Sequence, residues 1–347
     1  MNVICAMQGL GLYLYVVDII VVGLSFMGLI VLANVVVRRG RESEQRLFTV
    51  LLLLLNLPFV LLGLFFLLVP AESLQRVFTE LGASIADPPS FGLVLVLTGM
   101  WGIAACLAPV RRLLARFTAL DPGSAVHTLA LVLIGYLVGQ GALTLSQGGL
   151  AGLAQTAQPA SIGLVAVSEL IFAVLALLGV GFLVRRRGRD LAQRLGLEMP
   201  QPLHWFIGLG WIGVLVVLQI VVGLAWMLLN PEQAELLESI NTLLLAEFDT
   251  IWEWLILAIA AGVGEELLFR GALQPVFGLV TTAVVFALVH VQYGLTPFTL
   301  FIVLLAVILG LIRRYYSTTI AIFVHVGYDF ALGLLALLAT YAERFVT

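Results

Sequence analysis

The sequence predicts an all-α, polytopic integral membrane protein, a bundle of about ten transmembrane helices. Of its 347 residues, 62% are hydrophobic and 11% are charged, whereas a soluble globular chain is about half apolar and about a quarter charged. The mean hydropathy is +1.13, and one soluble core cannot hide that much apolar surface. The composition excludes a disordered chain and a secreted disulfide scaffold. The net charge of −3 and the lack of a long basic stretch argue against nucleic acid as a partner.

Ten segments are predicted to cross the bilayer, because a helix needs about 20 apolar residues to span a hydrocarbon core of about 30 Å. The apolar run of the first segment is too long, and Asp18 too central, for a cleavable signal peptide, so we expect this segment to be retained. Acids follow Pro231, which predicts an amphipathic helix at the membrane interface within residues 230–250. The ten segments cover approximately residues 10–37, 47–70, 91–110, 127–146, 162–184, 205–229, 251–271, 277–295, 297–312 and 318–341.

The basic residues predict the orientation of the chain. All seventeen are arginine, and fifteen of them fall in alternate connections between the predicted spans. We assign these connections to the cytoplasmic side, because cytoplasmic loops are enriched in basic residues. Both termini are then expected on the outer side, and the all-arginine set with compact loops favours a prokaryotic cell membrane. The fifteen are Arg38, Arg39, Arg41, Arg46, Arg111, Arg112, Arg116, Arg185, Arg186, Arg187, Arg189, Arg194, Arg270, Arg313 and Arg314.

A shift in composition near residue 200 divides the chain. Residues 185–204 are polar and contain Pro200 and Pro202. We place here the seam between an N-terminal transmembrane region of about five helices, residues 1–200, and a C-terminal region of about five helices, residues 201–347. The residues that indicate a function lie in the second region, whereas no motif indicates a role for the first.

Ionisable side chains inside a membrane span are costly, so they mark functional sites. In the earlier spans Asp18 and Glu169 are the clear cases, and for these two a polar contact between helices is favoured over catalysis. Three interpretations of the group in the last quarter stay open at this point: catalysis, a buried ion-pair network without turnover, and a metal site, for which no HExxH motif is present. This polar cluster consists of Glu265, Glu266, Arg270, His290, His325 and Asp329.

Helix geometry sorts the members of the polar cluster. Glu266 and Arg270 are four residues apart with the acid first, the favourable order for a pair on one face. Glu265 is rotated from Glu266 by about 100° and cannot face Arg270 as well. The spacing therefore predicts Glu266 as the partner of the arginine and Glu265 as the free carboxylate. His325 and Asp329 share a face of another helix in the same way.

The same geometry sets a condition on the helix that carries Glu265. His290 lies deep in the next predicted span, so the two meet only if the first helix continues past Arg270 or the second begins late. Gly262 and Gly264 lie in the turn that leads into the glutamates and are expected to let another helix approach closely.

A carboxylate beside a neutral imidazole can hold and deprotonate a water molecule. A second histidine, oriented by an acid, can donate a hydrogen bond to a developing oxyanion. This combination of side chains suits the hydrolysis of an amide.

Three motifs, in order and each in its own apolar segment, carry a family resemblance. Residues 265–270, Glu-Glu-Leu-Leu-Phe-Arg, match EExxxR; residues 286–290 match FxxxH; residues 325–329 match a histidine followed four residues later by Asn or Asp. Together they resemble the CAAX protease and bacteriocin-processing (CPBP) family over about residues 205–341. This resemblance implies an intramembrane glutamic endopeptidase, as the Ras-converting CAAX enzymes are.

The resemblance also implies roles for the polar cluster. Glu265 and His290 would activate the water, and His325 with the residue at position 329 would stabilise the oxyanion. The CAAX enzymes have Asn where this chain has Asp329, and an ionised Asp has no hydrogen to donate. Asp329 is therefore expected to orient His325 rather than to contact the oxyanion.

By the same resemblance, Glu266 and Arg270 would hold the site together. No cofactor is expected. The expected partners are the lipid bilayer and a peptide or protein substrate reached from the membrane, with a CAAX-type tail and a leader peptide both open. The alternative function is a non-catalytic membrane scaffold or transporter that uses the polar cluster for packing or partner binding.

Overall fold

The fold is all-α, as predicted. The structure, a computed structural model, describes the backbone of residues 2–81 and 85–346, and the side chains of residues 21–81 and 85–342. The described part is 83% helical and has no strand. The side chain of Asp18, for which a polar contact between helices is predicted, lies outside the described residues.

The N-terminal region consists of long apolar helices joined by short ones. The short helices fall within connections that the sequence left unassigned. In order, the region contains α1 (Asn2–Arg39), α2 (Glu42–Leu68), α3 (Ala71–Glu80), α4 (Pro88–Cys106), α5 (Ala108–Leu114), α6 (Ala125–Ser146), α7 (Gly149–Thr156), α8 (Ile162–Gly179) and α9 (Gly188–Leu195).

The C-terminal region contains the helices that carry the polar cluster. The predicted interfacial helix is present as α11: the Asn230 side chain caps its start, Leu237 and Ile240 are buried, and its glutamates are exposed. In order, the region contains α10 (Pro202–Leu229), α11 (Pro231–Leu244), α12 (Ile251–Glu265), a π-helical segment (Glu266–Leu273), α13 (Gln274–Phe277), α14 (Leu279–Val289), a 3₁₀ turn (Val291–Tyr293), α15 (Pro297–Tyr315) and α16 (Thr318–Val346).

Eight helices of the described chain are long and apolar enough to cross a membrane, which confirms a multi-pass membrane protein. The eight are α1 from Val21 onward, α2, α4, α6, α8, α10, α15 and α16. Of the two other predicted spans, the one at residues 251–271 is helical throughout. Here α12, the π segment and α13 follow without a break to Phe277, so this helix does continue past Arg270.

The prediction of a full span at residues 277–295 is wrong. Helix α14 has 11 residues, about 16 Å at 1.5 Å per residue, which is about half of the hydrocarbon thickness. It begins after Gly278, whose φ of +82° suits glycine, and it ends at His290. A long hydropathy window does not register this end, because only six residues separate His290 from Pro297, where the next apolar helix begins.

The connections that were predicted to be cytoplasmic meet at one end of the bundle. Arg185 donates to the side chain of Asn34 near the end of α1, at 2.8 Å. Arg194 of α9 donates to the carbonyl of Gly271 at 2.8 Å. The start of α16 in turn bonds to the end of α9 through Thr318. These contacts also join the N-terminal region to the helix that carries Glu265 and Glu266.

Candidate active site

The run from α12 to α13 carries three members of the polar cluster. It begins with a capping box, in which Thr250 and Glu253 each accept a hydrogen bond from the backbone N–H of the other. Its π segment, Glu266–Leu273, starts directly after Glu265. Such segments are rare and occur frequently at functional sites, because the wider turn redirects side chains.

Two glycines bring neighbouring helices against α12, as predicted. A Cβ on Gly262 would lie 2.6 Å from the Val326 side chain of α16. A Cβ on Gly264 would lie 2.5 Å from the carbonyl oxygen of Glu169 on α8. Both distances are shorter than any side chain tolerates, so α16 and α8 reach their positions only because residues 262 and 264 lack a Cβ.

Glu266 is the most enclosed acid of the cluster, with no exposed surface. Its Oε2 lies 3.2 Å from Nε of Arg270, the partner that the spacing predicted. Its Oε1 lies 2.9 Å from Nδ1 of His325 on α16. One carboxylate thus joins the arginine of its own helix to the histidine of another.

Arg270 is held by three elements of the fold. Besides the Glu266 carboxylate, its guanidinium lies 4.3 Å from the centre of the Phe286 ring on α14. Its Nη2 is also 3.4 Å from the carbonyl oxygen of Ala306 on α15. A cation over an aromatic face is attracted by the ring quadrupole. The contact gives the phenylalanine of the FxxxH segment a structural role that the sequence did not indicate.

Glu265 faces away from Arg270 and lies between the two histidines. Its Oε1 is 3.8 Å from Nε2 of His290, and its Oε2 is 3.9 Å from Nε2 of His325. Nδ1 of His290 lies 2.7 Å from the carbonyl oxygen of Phe286. Because a carbonyl only accepts, Nδ1 carries the hydrogen, and Nε2 is the nitrogen that faces Glu265.

Asp329 lies beside His325, as the four-residue spacing predicted, but it contacts Nε2 of the ring and not Nδ1. The nitrogen Nδ1 of His325 is taken by Glu266, whereas Oδ2 of Asp329 lies 3.4 Å from Nε2, the nitrogen that also faces Glu265. Glu266 is therefore the residue that orients the ring. Sequence spacing could not identify this contact, because the two residues belong to different helices.

Glu169 of α8 also lies beside the cluster, although the sequence favoured it as a polar contact between helices. Its Oε2 is buried, and within the described chain it has no hydrogen-bond partner. A Cβ on Gly264 would lie 2.7 Å from this oxygen. In the described residues no group of three or more His, Cys, Asp or Glu side chains is arranged to hold a metal ion.

The comparisons with known proteins point to the same part of the chain. Residues 247–331 match the family model described as type II CAAX prenyl endopeptidase Rce1-like. This segment contains all six residues of the polar cluster. No curated protein and no solved structure matches the chain. Residues 247–331 are thus similar to the Rce1-like CAAX prenyl endopeptidases, in agreement with the resemblance that the three motifs indicate.

Proposed function

We propose that this protein is an intramembrane endopeptidase that cleaves a peptide bond with a water molecule activated by Glu265 and His290. The observation that carries the proposal is the placement of the Glu265 carboxylate between two histidine Nε2 atoms, 3.8 and 3.9 Å away. A water that contacts both Glu265 and Nε2 of His290 fits this separation, since each hydrogen bond is about 2.8 Å long.

The proposed reaction is an addition followed by an elimination. Glu265 takes a proton from the water, and the water oxygen forms a bond to the carbonyl carbon of the substrate. The negative charge that develops on the carbonyl oxygen is stabilised by the N–H at Nε2 of His325. The proton held by Glu265 passes to the amide nitrogen, the C–N bond breaks, and a carboxylate and an amine leave.

The donor role of His325 depends on the acids around it. Nδ1 donates to Glu266, so a hydrogen on Nε2 as well makes the ring a cation. The carboxylates of Glu266 and Asp329 stabilise that cation from its two sides. In this proposal Asp329 acts through His325, which reconciles an aspartate at this position with the oxyanion role of the family.

Glu266 and Arg270 maintain the geometry and take no part in proton transfer. The pair fixes the ring of His325 from one side, and the Phe286 contact of Arg270 fixes the end of α14, where His290 lies. We propose that no cofactor takes part. The substrate is a peptide or protein segment reached from the membrane, of the CAAX or the leader-peptide type. The other candidate function, a non-catalytic scaffold or transporter, has no specific observation in its favour.

The test is a cleavage assay on purified protein in lipid, with a quenched peptide library that contains prenylated and unprenylated members. We expect cleavage that is unaffected by chelators, because carboxylates and histidines supply all the proposed chemistry. Activity that disappears with chelator and returns with a divalent metal would overturn the cofactor-free mechanism. A folded protein that cleaves no member of the library would favour the scaffold function.

We also propose that both termini lie outside, in a prokaryotic cell membrane. The arginine-rich connections meet at one end of the bundle. A hairpin of α14 and α15 returns the chain to the side it left, so the shortness of α14 does not change the orientation of the termini. Single cysteines can test this in a chain with Cys5 and Cys106 replaced. On intact cells, an impermeant maleimide should label Glu238→Cys in α11 and not Arg187→Cys before α9, and the reverse pattern would invert the orientation.

A further inference from the structure

The N-terminal region, which lies outside the family match, brings one acid into the neighbourhood of the polar cluster. Glu169 lies on α8, and its backbone and carboxylate both pack on Gly264, the residue that precedes Glu265. The closeness of this contact depends on the missing Cβ of Gly264, so the helix that carries the proposed base is shaped to accept this acid.

One oxygen of the half-buried Glu169 carboxylate has no compensating partner. Its Oε2 is buried and accepts no hydrogen bond from any described residue. An ionised carboxylate buried without a partner is strongly disfavoured, whereas a protonated carboxyl is neutral and carries an O–H that can donate. The surroundings therefore favour the protonated form of this side chain.

Two neighbouring carboxylates act in the same direction as burial. Glu265 and Asp329 repel a negative charge on Glu169, whereas His325 attracts one. The opposing cation of the site, Arg270, is already engaged by Glu266. His325 is held between Glu266 and Asp329. An ionised Glu169 beside Glu265 would therefore have no cation that is not already in contact with another acid.

We propose that Glu169 is a positioning residue of the hydrolytic site, a protonated carboxyl on α8 that donates a hydrogen bond through a bridging water to the carboxylate of Glu265. The inference rests on the proposed function, in which Glu265 is the base. The N-terminal region then contributes directly to the site, because the O–H of Glu169 holds the Glu265 carboxylate in place between its two histidines. A water bridge is the contact expected of polar groups too far apart to bond directly.

The first arm of the test compares three variants in the cleavage assay. Glu169→Gln keeps a neutral donor of the same shape and should keep kcat within about threefold, whereas Glu169→Leu has no donor and should lose about tenfold to a hundredfold in kcat, with KM unchanged. Ser168→Ala is the control, since the Ser168 hydroxyl bonds only within α8, to the carbonyl of Val165. Equal kcat for the Gln and Leu variants would overturn the inference and leave the proposed function standing.

The second arm does not depend on proteolysis. Dicyclohexylcarbodiimide reacts with protonated carboxyls in apolar surroundings, and peptide mass spectrometry locates the product. We expect Glu169 to be labelled at the same rate at neutral and at acid pH, and at a changed rate in Glu265→Gln. A rate that rises as the pH falls would mean that Glu169 is ionised at neutral pH. A rate unaffected by Glu265→Gln would mean that the two carboxyls are not in contact. Either result overturns the inference, even if the protein cleaves nothing.

Discussion

The variant Glu265→Gln is expected to abolish peptide hydrolysis while the protein still folds and inserts. Gln has the size of Glu but cannot accept a proton from water, and Glu265 engages no arginine whose charge would be left uncompensated. General-base catalysis contributes about 10²- to 10⁴-fold, so kcat/KM on the best library peptide should fall at least that far. The melting temperature should change little.

The matched control is Glu235→Gln, which removes an exposed carboxylate from α11 and should leave kcat/KM unchanged. His290→Ala should resemble Glu265→Gln, because the two side chains hold the same water. If Glu265→Gln kept activity within about tenfold of the wild type, that would fall short of a general-base contribution. The base would then be another acid, with Asp329 the next to test.

The sequence predicted those parts of the fold and site that depend on a single helix. Apolar length located eight of the spans, and four-residue spacing paired Glu266 with Arg270. Two glycines predicted the close approach of other helices to α12. Each of these features follows from the periodicity of one segment, so neighbouring helices do not have to be known.

The features that the sequence missed arise between elements. His325 and Glu266 are 59 residues apart in the sequence and lie on different helices, yet their side chains are in contact. Glu169 reaches Gly264 from a region that carries no motif. The π segment and the early end of α14 depend on local backbone geometry, which hydropathy does not register. Contacts between helices place Glu266 at Nδ1 of His325. The sequence alone indicated Asp329 as the acid that orients this ring.

The N-terminal region takes part in positioning the site as well as in filling the membrane. Helix α8 packs on α12 at Gly264, and α9 bonds to the π segment through Arg194 and the carbonyl of Gly271. These two contacts constrain where Glu265 lies. A match confined to residues 247–331 therefore does not cover all of the structure that supports the polar cluster.

Loss of one partner of the buried ion pair should be the most damaging change to stability. In Glu266→Gln the guanidinium of Arg270 stays buried without a counter-charge, and in Arg270→Met the buried carboxylate of Glu266 loses its arginine and keeps only His325. Removing one member of a buried pair costs about 3–5 kcal/mol, because the remaining charge is uncompensated. We expect a loss of this size for each single variant in a reversible unfolding assay in micelles.

The chain supplies a control of the same geometry in Glu42 and Arg46. The two pairs have the same spacing and the same separation of 3.2 Å, but the side chains are 84% and 82% exposed in the control and 0% and 2% in the buried pair. Solvent screens the exposed pair, so Glu42→Gln should change the free energy of unfolding by only about 0–1 kcal/mol. The double variant Glu266→Gln with Arg270→Met should be more stable than either single variant, since it leaves no lone charge. Simple addition of the two single losses would mean that the buried ions do not depend on each other, and the role of the pair in holding His325 would have to be abandoned.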